Sequence, residues 1–159
     1  MQRVEKSVRV HAPASQVYEF WRNFENFPQF MEHVESVQVT DPDKRFSHWK
    51  LKGPLGMDVE YDAELAKDEP NKMIGWNSTR GSIQTTGAVT FADVGDGITE
   101  VHVTMQYYDP PAGPLGEAVA RLFQDPDQML EDDLHRFKDM MEMQAGTAAS
   151  HAMSHGQRL

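Results

Sequence analysis

The chain of 159 residues contains no cysteine and is short of basic residues. The absence of cysteine excludes disulfides, thiolate chemistry and cysteine-ligated metals. Lysine and arginine together number 15 against 25 aspartates and glutamates, which gives a formal charge of −10. Because nucleic acids and anionic membrane surfaces are bound mainly through lysine and arginine, this balance disfavours both as partners.

Long apolar runs are missing as well. No segment of the sequence approaches the roughly 20 apolar residues that a bilayer span needs, so we predict no stable membrane insertion. The first six residues, Met1–Lys6, lack the apolar segment of a signal peptide. We therefore expect a cytoplasmic protein, and the length of the chain indicates one domain with room for a core and a cavity.

A strict alternation of apolar and acidic residues runs from Met57 to Leu65. A period of two predicts a β-strand with one buried face and one solvated face. The residues predicted to face inward are Met57, Val59, Tyr61, Ala63 and Leu65. The acidic residues Asp58, Glu60, Asp62 and Glu64 face outward. Neighbouring members of this acidic row lie about 6.5–7 Å apart, too far to chelate one cation, so we interpret them as a solvated face.

The strand before this one has a complementary charge pattern. Placing Trp49 opposite Tyr61 on the inner face puts Lys50 opposite Glu60 on the outer face. The same register pairs Lys52 with Asp58 and His48 with Asp62. Opposite charges across neighbouring strands favour this pairing independently of the apolar pattern.

The order of predicted elements is strand, two helices, six strands and a long helix. The first strand covers Val4–Val10, the first helix starts at Ala12-Pro13, and a short second helix lies near Phe27–Met31. The six later strands are Glu35–Thr40, Arg45–Lys52, Met57–Lys67, Met73–Thr79, Ser82–Ala92 and Ile98–Tyr108. Pro126 should kink or split the long helix. We predict a single domain over residues 1–144 and a disordered polar tail over 145–159.

This order indicates an α+β fold, a curved seven-stranded antiparallel sheet wrapped around the C-terminal helix. Such a sheet cannot close tightly on one helix everywhere, so we expect a cavity between them. The residues predicted to line it are Trp49, Tyr61, Trp76, Ser78, Gly87, Met105, Tyr107, Val119 and Phe123. Gly87 can lie opposite Trp76, leaving room for an indole ring or a ligand. For any one inward aromatic, an ordinary place in the core is the alternative.

Other candidate chemistry in the sequence is sparse. The seven histidines have no metal-binding spacing, and Glu131–Asp133 with His135 is interpreted as the solvated face of the last helix. Arg80 either reaches the cavity mouth or is a solvated residue at a strand end. Tyr61 and Tyr107 could donate protons only beside a strongly polarised partner. We predict no metal, no cofactor and no assignable catalytic residue.

Several short segments of the sequence, taken together, are typical of one protein superfamily. They are Ala12-Pro13 with Val17 and Trp21, Asn23–Met31, His48-Trp49, Gly53–Gly56, Tyr61–Leu65, Ile74–Ser78 and Asp133–Lys138. These segments resemble the SRPBCC or START-like superfamily, known for its helix-grip fold, and within it the branch of polyketide cyclase/dehydrase and coenzyme Q-binding-type proteins. The resemblance covers Val4 to about Met143 and implies a hydrophobic ligand held between the sheet and the C-terminal helix.

Three functional hypotheses follow from the sequence. The first is a carrier or binding protein for a lipid, quinone or polyketide-like molecule, gated by the loops near Gly53–Gly56 and Gly113–Gly116 and by the helix around Val119 and Phe123. The second is a cyclase or dehydrase that uses the same cavity, and the third is a protein-interaction module. The sequence alone does not decide whether the protein is an enzyme.

Overall fold

The fold was obtained as a computed structural model, which describes residues 2–108 and 113–157. The strands are β1 Gln2–Val10, β2 Val34–Val39, β3 Phe46–Lys52, β4 Asp58–Glu69, β5 Met73–Gly81, β6 Thr85–Gly95 and β7 Ile98–Tyr107. The α-helices are α1 Ala14–Arg22, α2 Pro114–Leu122 and α3 Pro126–Gln157, and short 3₁₀-helices cover Phe24–Gln29 and Pro54–Gly56. No helix in the described ranges is long and apolar enough to cross a membrane.

The seven strands form one sheet in the order β1-β7-β6-β5-β4-β3-β2, with every neighbouring pair antiparallel. This curved sheet with C-terminal helices confirms the predicted α+β helix-grip architecture. The sheet starts β6 three residues later than predicted, at Thr85 instead of Ser82. Gly81 ends β5 with a φ of +118°, and the Ser82 N–H donates to the Glu60 carbonyl at 3.0 Å, so the chain bends here before β6 begins.

The predicted register between β3 and β4 is confirmed. Trp49 pairs with Tyr61 and Lys50 with Glu60. The predicted pair of His48 and Asp62 is made directly across the strands, with His48 Nδ1 2.6 Å from Asp62 Oδ1. The other contacts run diagonally, since the Lys50 ammonium lies 3.3 Å from Asp58 and Glu60 lies 3.0 Å from His48 Nε2. Within the described part of the chain no cluster of acidic and histidine side chains could hold a metal ion.

Met57 departs from the sequence expectation. It was predicted to face inward on the acidic strand, but it precedes β4 and is 40% exposed. The short 3₁₀-helix Pro54–Gly56 ends with Gly56 at a φ of +72°. Because of this turn, the chain joins the sheet only at Asp58, one residue after Met57. Met57 continues the alternation of the strand although it is not paired with a neighbouring strand. A period-two pattern therefore does not show at which residue strand pairing starts.

An aromatic cluster holds the helices against the sheet. Trp21 is fully buried, with ring centroids 5.1 Å from Phe27, 5.7 Å from Phe30 and 5.3 Å from Phe137. Because these four rings come from α1, the loop after it and α3, the cluster fixes how α3 lies across the sheet.

The predicted interruption of the long helix at Pro126 is confirmed. Helix α2 ends at Leu122, and α3 begins at Pro126, where a missing N–H costs nothing. The backbone of α3 then continues to Gln157. The single domain over residues 1–144 and the disordered tail over 145–159 stay predictions.

Candidate functional site

A cavity of about 70 Å³ lies between the inner face of the sheet, the 3₁₀-helix Phe24–Gln29 and the start of α3. We call it the inner chamber. Its wall is largely aromatic and aliphatic, as is usual for a small-molecule site. Lining residues include Phe24, Phe27, Met31, His33, Ser47, Trp49, Tyr61, Ala63, Trp76, Ile83, Thr85, Met105, Tyr107, Phe123, Met129, Leu130 and Asp133.

Six of the nine residues predicted to line the cavity meet in this chamber. They are Trp49, Tyr61, Trp76, Met105, Tyr107 and Phe123. Ser78, Gly87 and Val119 are not among its lining residues. The six come from four strands and from the break between α2 and α3, and their convergence agrees with the predicted inward parity of β3, β4, β5 and β7. Their contact with a ligand stays a prediction.

Each of the other three has a different local role. The Ser78 hydroxyl accepts the backbone N–H of Thr85 at 2.9 Å, which fixes the start of β6. Val119 lines a neighbouring chamber on the other side of Phe123. Gly87 pairs with Trp76 across β5 and β6, and the indole ring occupies the space that the missing side chain leaves.

Replacing Gly87 by alanine is expected to displace the Trp76 ring from the chamber wall. A Cβ at position 87 would lie 2.4 Å from Cζ2 and 2.6 Å from Cε2 of that indole, closer than real contacts allow. We expect a loss of about 1–3 kcal/mol in the free energy of unfolding, since overpacking forces a ring off its rotamer. Urea denaturation measures this loss, and tryptophan emission should shift to the red.

The double variant Gly87→Ala with Trp76→Leu is the control for this clash. With the ring removed, adding the methyl group should cost much less than it does beside Trp76, and a double-mutant cycle gives the difference. Equal costs in the two backgrounds would contradict the proposed role of Gly87 in seating the indole.

The two inner tyrosines differ in their hydrogen bonding. The Tyr61 ring stacks on Trp49 at 5.8 Å with an interplanar angle of 16°. Among the described residues no hydrogen bond reaches the Tyr61 hydroxyl, whereas the Tyr107 hydroxyl lies 3.4 Å from the Met105 sulfur. Burial raises the pKa of both phenols above their ordinary value, helped at Tyr107 by the charge of Asp133. Both hydroxyls therefore stay protonated at neutral pH.

Asp133 is the functional candidate that the sequence interpretation missed. It was assigned to the solvated face of the last helix, but it is only 5% exposed and lines the inner chamber. Its Oδ1 accepts hydrogen bonds from Arg136 and, at 3.3 Å, from the Glu32 backbone N–H. Among the described residues no hydrogen bond reaches Oδ2. Burial raises the pKa of this carboxyl, against the lowering effect of its hydrogen bonds and of His33.

Helical spacing could have located Asp133. It stands three residues after Leu130 and four before Phe137, both of which are buried on the inner face of α3. Positions three and four apart share a helix face, so Asp133 lies within the apolar stripe. Its acidic neighbours Glu131 and Asp132, which are exposed, concealed this position.

Arg80 lies away from the chamber. Its side chain is 83% exposed, and its Nε lies 3.4 Å from Asp62 on the outer face of the sheet. An irregularity between Asp62 and Ala63 shifts the pairing with β5, so residues beyond Ser78 lose the inward parity that the alternation suggested. Of the two alternatives considered for Arg80, the structure shows the solvated residue near a strand end.

Residues 1–142 match the family described as polyketide cyclase/dehydrase and lipid transport. The chain belongs to this family. The match spans every strand of the sheet, α1, α2 and the part of α3 that carries Asp133. Membership agrees with the superfamily resemblance noted in the sequence, and it covers the whole wall of the inner chamber.

Solved structures of similar proteins have the same fold. The protein DR_A0006 from Deinococcus radiodurans is 35% identical, with a TM-score of 0.69 over 89% of this chain and 98% of its own. A START superfamily protein from Mycobacterium smegmatis is 16% identical, with a TM-score of 0.69 over 87% of this chain and 97% of its own. The Zhui aromatase/cyclase from Streptomyces sp. R1128 is 16% identical, with a TM-score of 0.73 over 91% of this chain and 95% of its own.

Proposed function

We propose that the protein binds a hydrophobic small molecule in the inner chamber, as a carrier or binding protein. The observation that carries the proposal is an apolar cavity with a few polar groups in its wall. Tyr61 and Asp133 line it beside aromatic and aliphatic side chains, and no hydrogen bond from the described residues reaches the Tyr61 hydroxyl or the Asp133 Oδ2 atom. A mostly apolar pocket with a small number of polar groups is the usual composition of a small-molecule site.

The size of the chamber places a condition on this function. Ligand pockets usually measure about 300–1,000 Å³, and the inner chamber is far smaller at about 70 Å³. A ligand must therefore move side chains on entry. Met31, Met105 and Met129 line the chamber, and methionine side chains are flexible enough to repack at modest cost.

A ligand screen by thermal unfolding and native mass spectrometry tests the proposal. A ligand at a hundredfold excess over its Kd stabilises the fold by about 2.7 kcal/mol, which corresponds to a rise of about 5–10 °C in Tm. Quinones, long-chain alcohols and polyketide-like phenols are the probes, and organic extraction identifies any bound mass. A screen with neither a melting shift nor a bound mass would contradict the proposal.

A matched pair of variants shows whether the chamber itself binds the ligand. Ala63 is buried and lines the chamber, whereas Ala92 is exposed on another strand and does not. Ala63→Leu fills part of the space and should abolish the melting shift, although it overpacks the core by about 1–3 kcal/mol. Ala92→Leu should retain the shift in full. Retention of the shift by Ala63→Leu would move the binding site elsewhere.

Acid/base chemistry of the cyclase or dehydrase type is the second candidate, favoured by Asp133 beside Tyr107. Burial raises the pKa of the Asp133 carboxyl, and a general acid or base acts best when its pKa is moved toward the working pH. On this hypothesis, Tyr61→Phe and Tyr107→Phe abolish turnover of a polyketide-like substrate, while circular dichroism and Tm remain those of wild type. Turnover that persists in both variants would reject a catalytic role for the phenols.

A further inference from the structure

A second cavity, the outer chamber, lies against the inner one. It measures about 180 Å³ and is lined by Gln2, Ser82, Gln84, Tyr108, Val119 and Ala120. Three further residues, Ile83, Tyr107 and Phe123, line both chambers. The partition between the chambers is therefore made of these three side chains.

Phe123 is the member of this partition that lies outside the sheet and is not fully buried. Its ring packs on Tyr107 with centroids 4.7 Å apart, and it is only partly buried. Its backbone caps the C-terminus of α2 with φ −108° and ψ 39°, in the three-residue break before α3. A side chain at such a break can change rotamer without disturbing a helix interior, whereas Tyr107 belongs to strand β7 and Ile83 is buried.

Neither chamber alone reaches the size of an ordinary ligand pocket. Rotation of Phe123 would join them and add the space that its own ring occupies. The result is one cleft, with Asp133 among the lining residues of its inner part and Gln2, Ser82 and Gln84 among those of its outer part.

The polar groups that line this cleft favour a ligand with an uncharged head group. Among the described residues that line the two chambers there is no lysine or arginine, while the wall of the inner chamber contains the His33 ring and the Asp133 carboxyl, which pairs with Arg136 outside the wall. The polar side chains of the outer chamber are amides and hydroxyls. An anionic head group would find no lysine or arginine in either wall and would meet the Asp133 carboxylate in the inner chamber.

We propose that Phe123 divides a single cleft, and that this cleft takes a long, uncharged amphipathic molecule with an apolar body and a hydroxyl or carbonyl end. This inference rests on the proposed function, since it names the class of ligand for the same site. A molecule that fills both chambers must reach past Phe123 from one to the other, which requires length. The lack of lysine and arginine in either wall disfavours carboxylates and sulfonates of the same length.

Titration with three alkylbenzenes tests the inference, with tryptophan fluorescence as the readout because Trp49 and Trp76 line the inner chamber. The probes are 4-methylphenol, which fits one chamber, 4-octylphenol, which needs both, and 4-octylbenzenesulfonate, which is an anion at every pH. In wild type, 4-octylphenol should bind at least tenfold tighter than the sulfonate. In Phe123→Ala, the affinity ratio of the long phenol to the short one should rise at least fivefold.

Phe46→Ala is the matched control, since Phe46 is exposed and lines neither chamber, and it should leave that ratio unchanged. If Phe123→Ala fails to fold, Ala120→Trp narrows the outer chamber and should weaken the long phenol alone. An unchanged ratio in both variants, or a sulfonate that binds as tightly as 4-octylphenol, overturns the inference. If 4-methylphenol still binds in that case, the proposed function stands.

Discussion

Replacing Phe137 by alanine is expected to lower the free energy of unfolding by about 3–5 kcal/mol, as for other large-to-small changes in a packed core. Phe137 is fully buried, and its ring centroid lies 5.1 Å from Phe30, 5.3 Å from Trp21 and 5.9 Å from Phe20. Its loss leaves a cavity where α1, the first 3₁₀-helix and α3 meet. Urea denaturation followed by circular dichroism measures the change.

Phe46→Ala is the control for this core variant. The same side chain is removed there, but Phe46 is 44% exposed and lies outside the aromatic cluster. We expect a loss of less than about 1 kcal/mol, since surface changes have small effects. If the two variants were destabilised equally, the ring cluster could not be what attaches α3 to the sheet, and the inner chamber would need another support.

The sheet was predictable because its signal is local. The alternation from Met57 to Leu65 and the charges of Lys50 and Glu60 specify both parity and register, and the pairing of Trp49 with Tyr61 follows from them. Where a chain bends, that signal fails. Met57 keeps the alternation although a turn ends just before β4, and Arg80 keeps it although the irregularity after Asp62 has shifted the pairing.

The candidate site was only half predictable, for a different reason. Strand positions such as Trp76 and Met105 reach the chamber through parity alone. The position of Asp133 in the chamber wall depends on how α3 is rotated about its axis over the sheet. The aromatic contacts of α3 decide this rotation, and the charged residues around Asp133 give no sign of it. The outer chamber depends on how α2 and α3 separate around Phe123, and no residue pattern encodes the volume between two elements.

Removing the charge of Asp133 is expected to admit anions to the site. An anion held about 7 Å from a carboxylate, at an effective dielectric constant of about 20, is disfavoured by about 2 kcal/mol. Asp133→Asn should therefore bind 4-octylbenzenesulfonate about thirtyfold tighter than wild type at pH 8, whereas binding of 4-octylphenol should change less than threefold. Asp132→Asn, an exposed neighbour outside the inner chamber, is the matched control and should change neither affinity.

The pH dependence of stability provides a test of Asp133 without any ligand. Its pKa is raised in the folded state by burial, so between the ordinary value and the raised one the folded protein holds the proton more tightly than the unfolded chain. This carboxyl therefore costs stability above the raised pKa, and the cost fades as the pH falls through it. Tyr107, His33 and Arg136 surround the group in both proteins. The stability of Asp133→Asn minus that of wild type should thus decrease on acidification, and a difference that stays constant between pH 8 and pH 4 would show that the carboxyl is not desolvated.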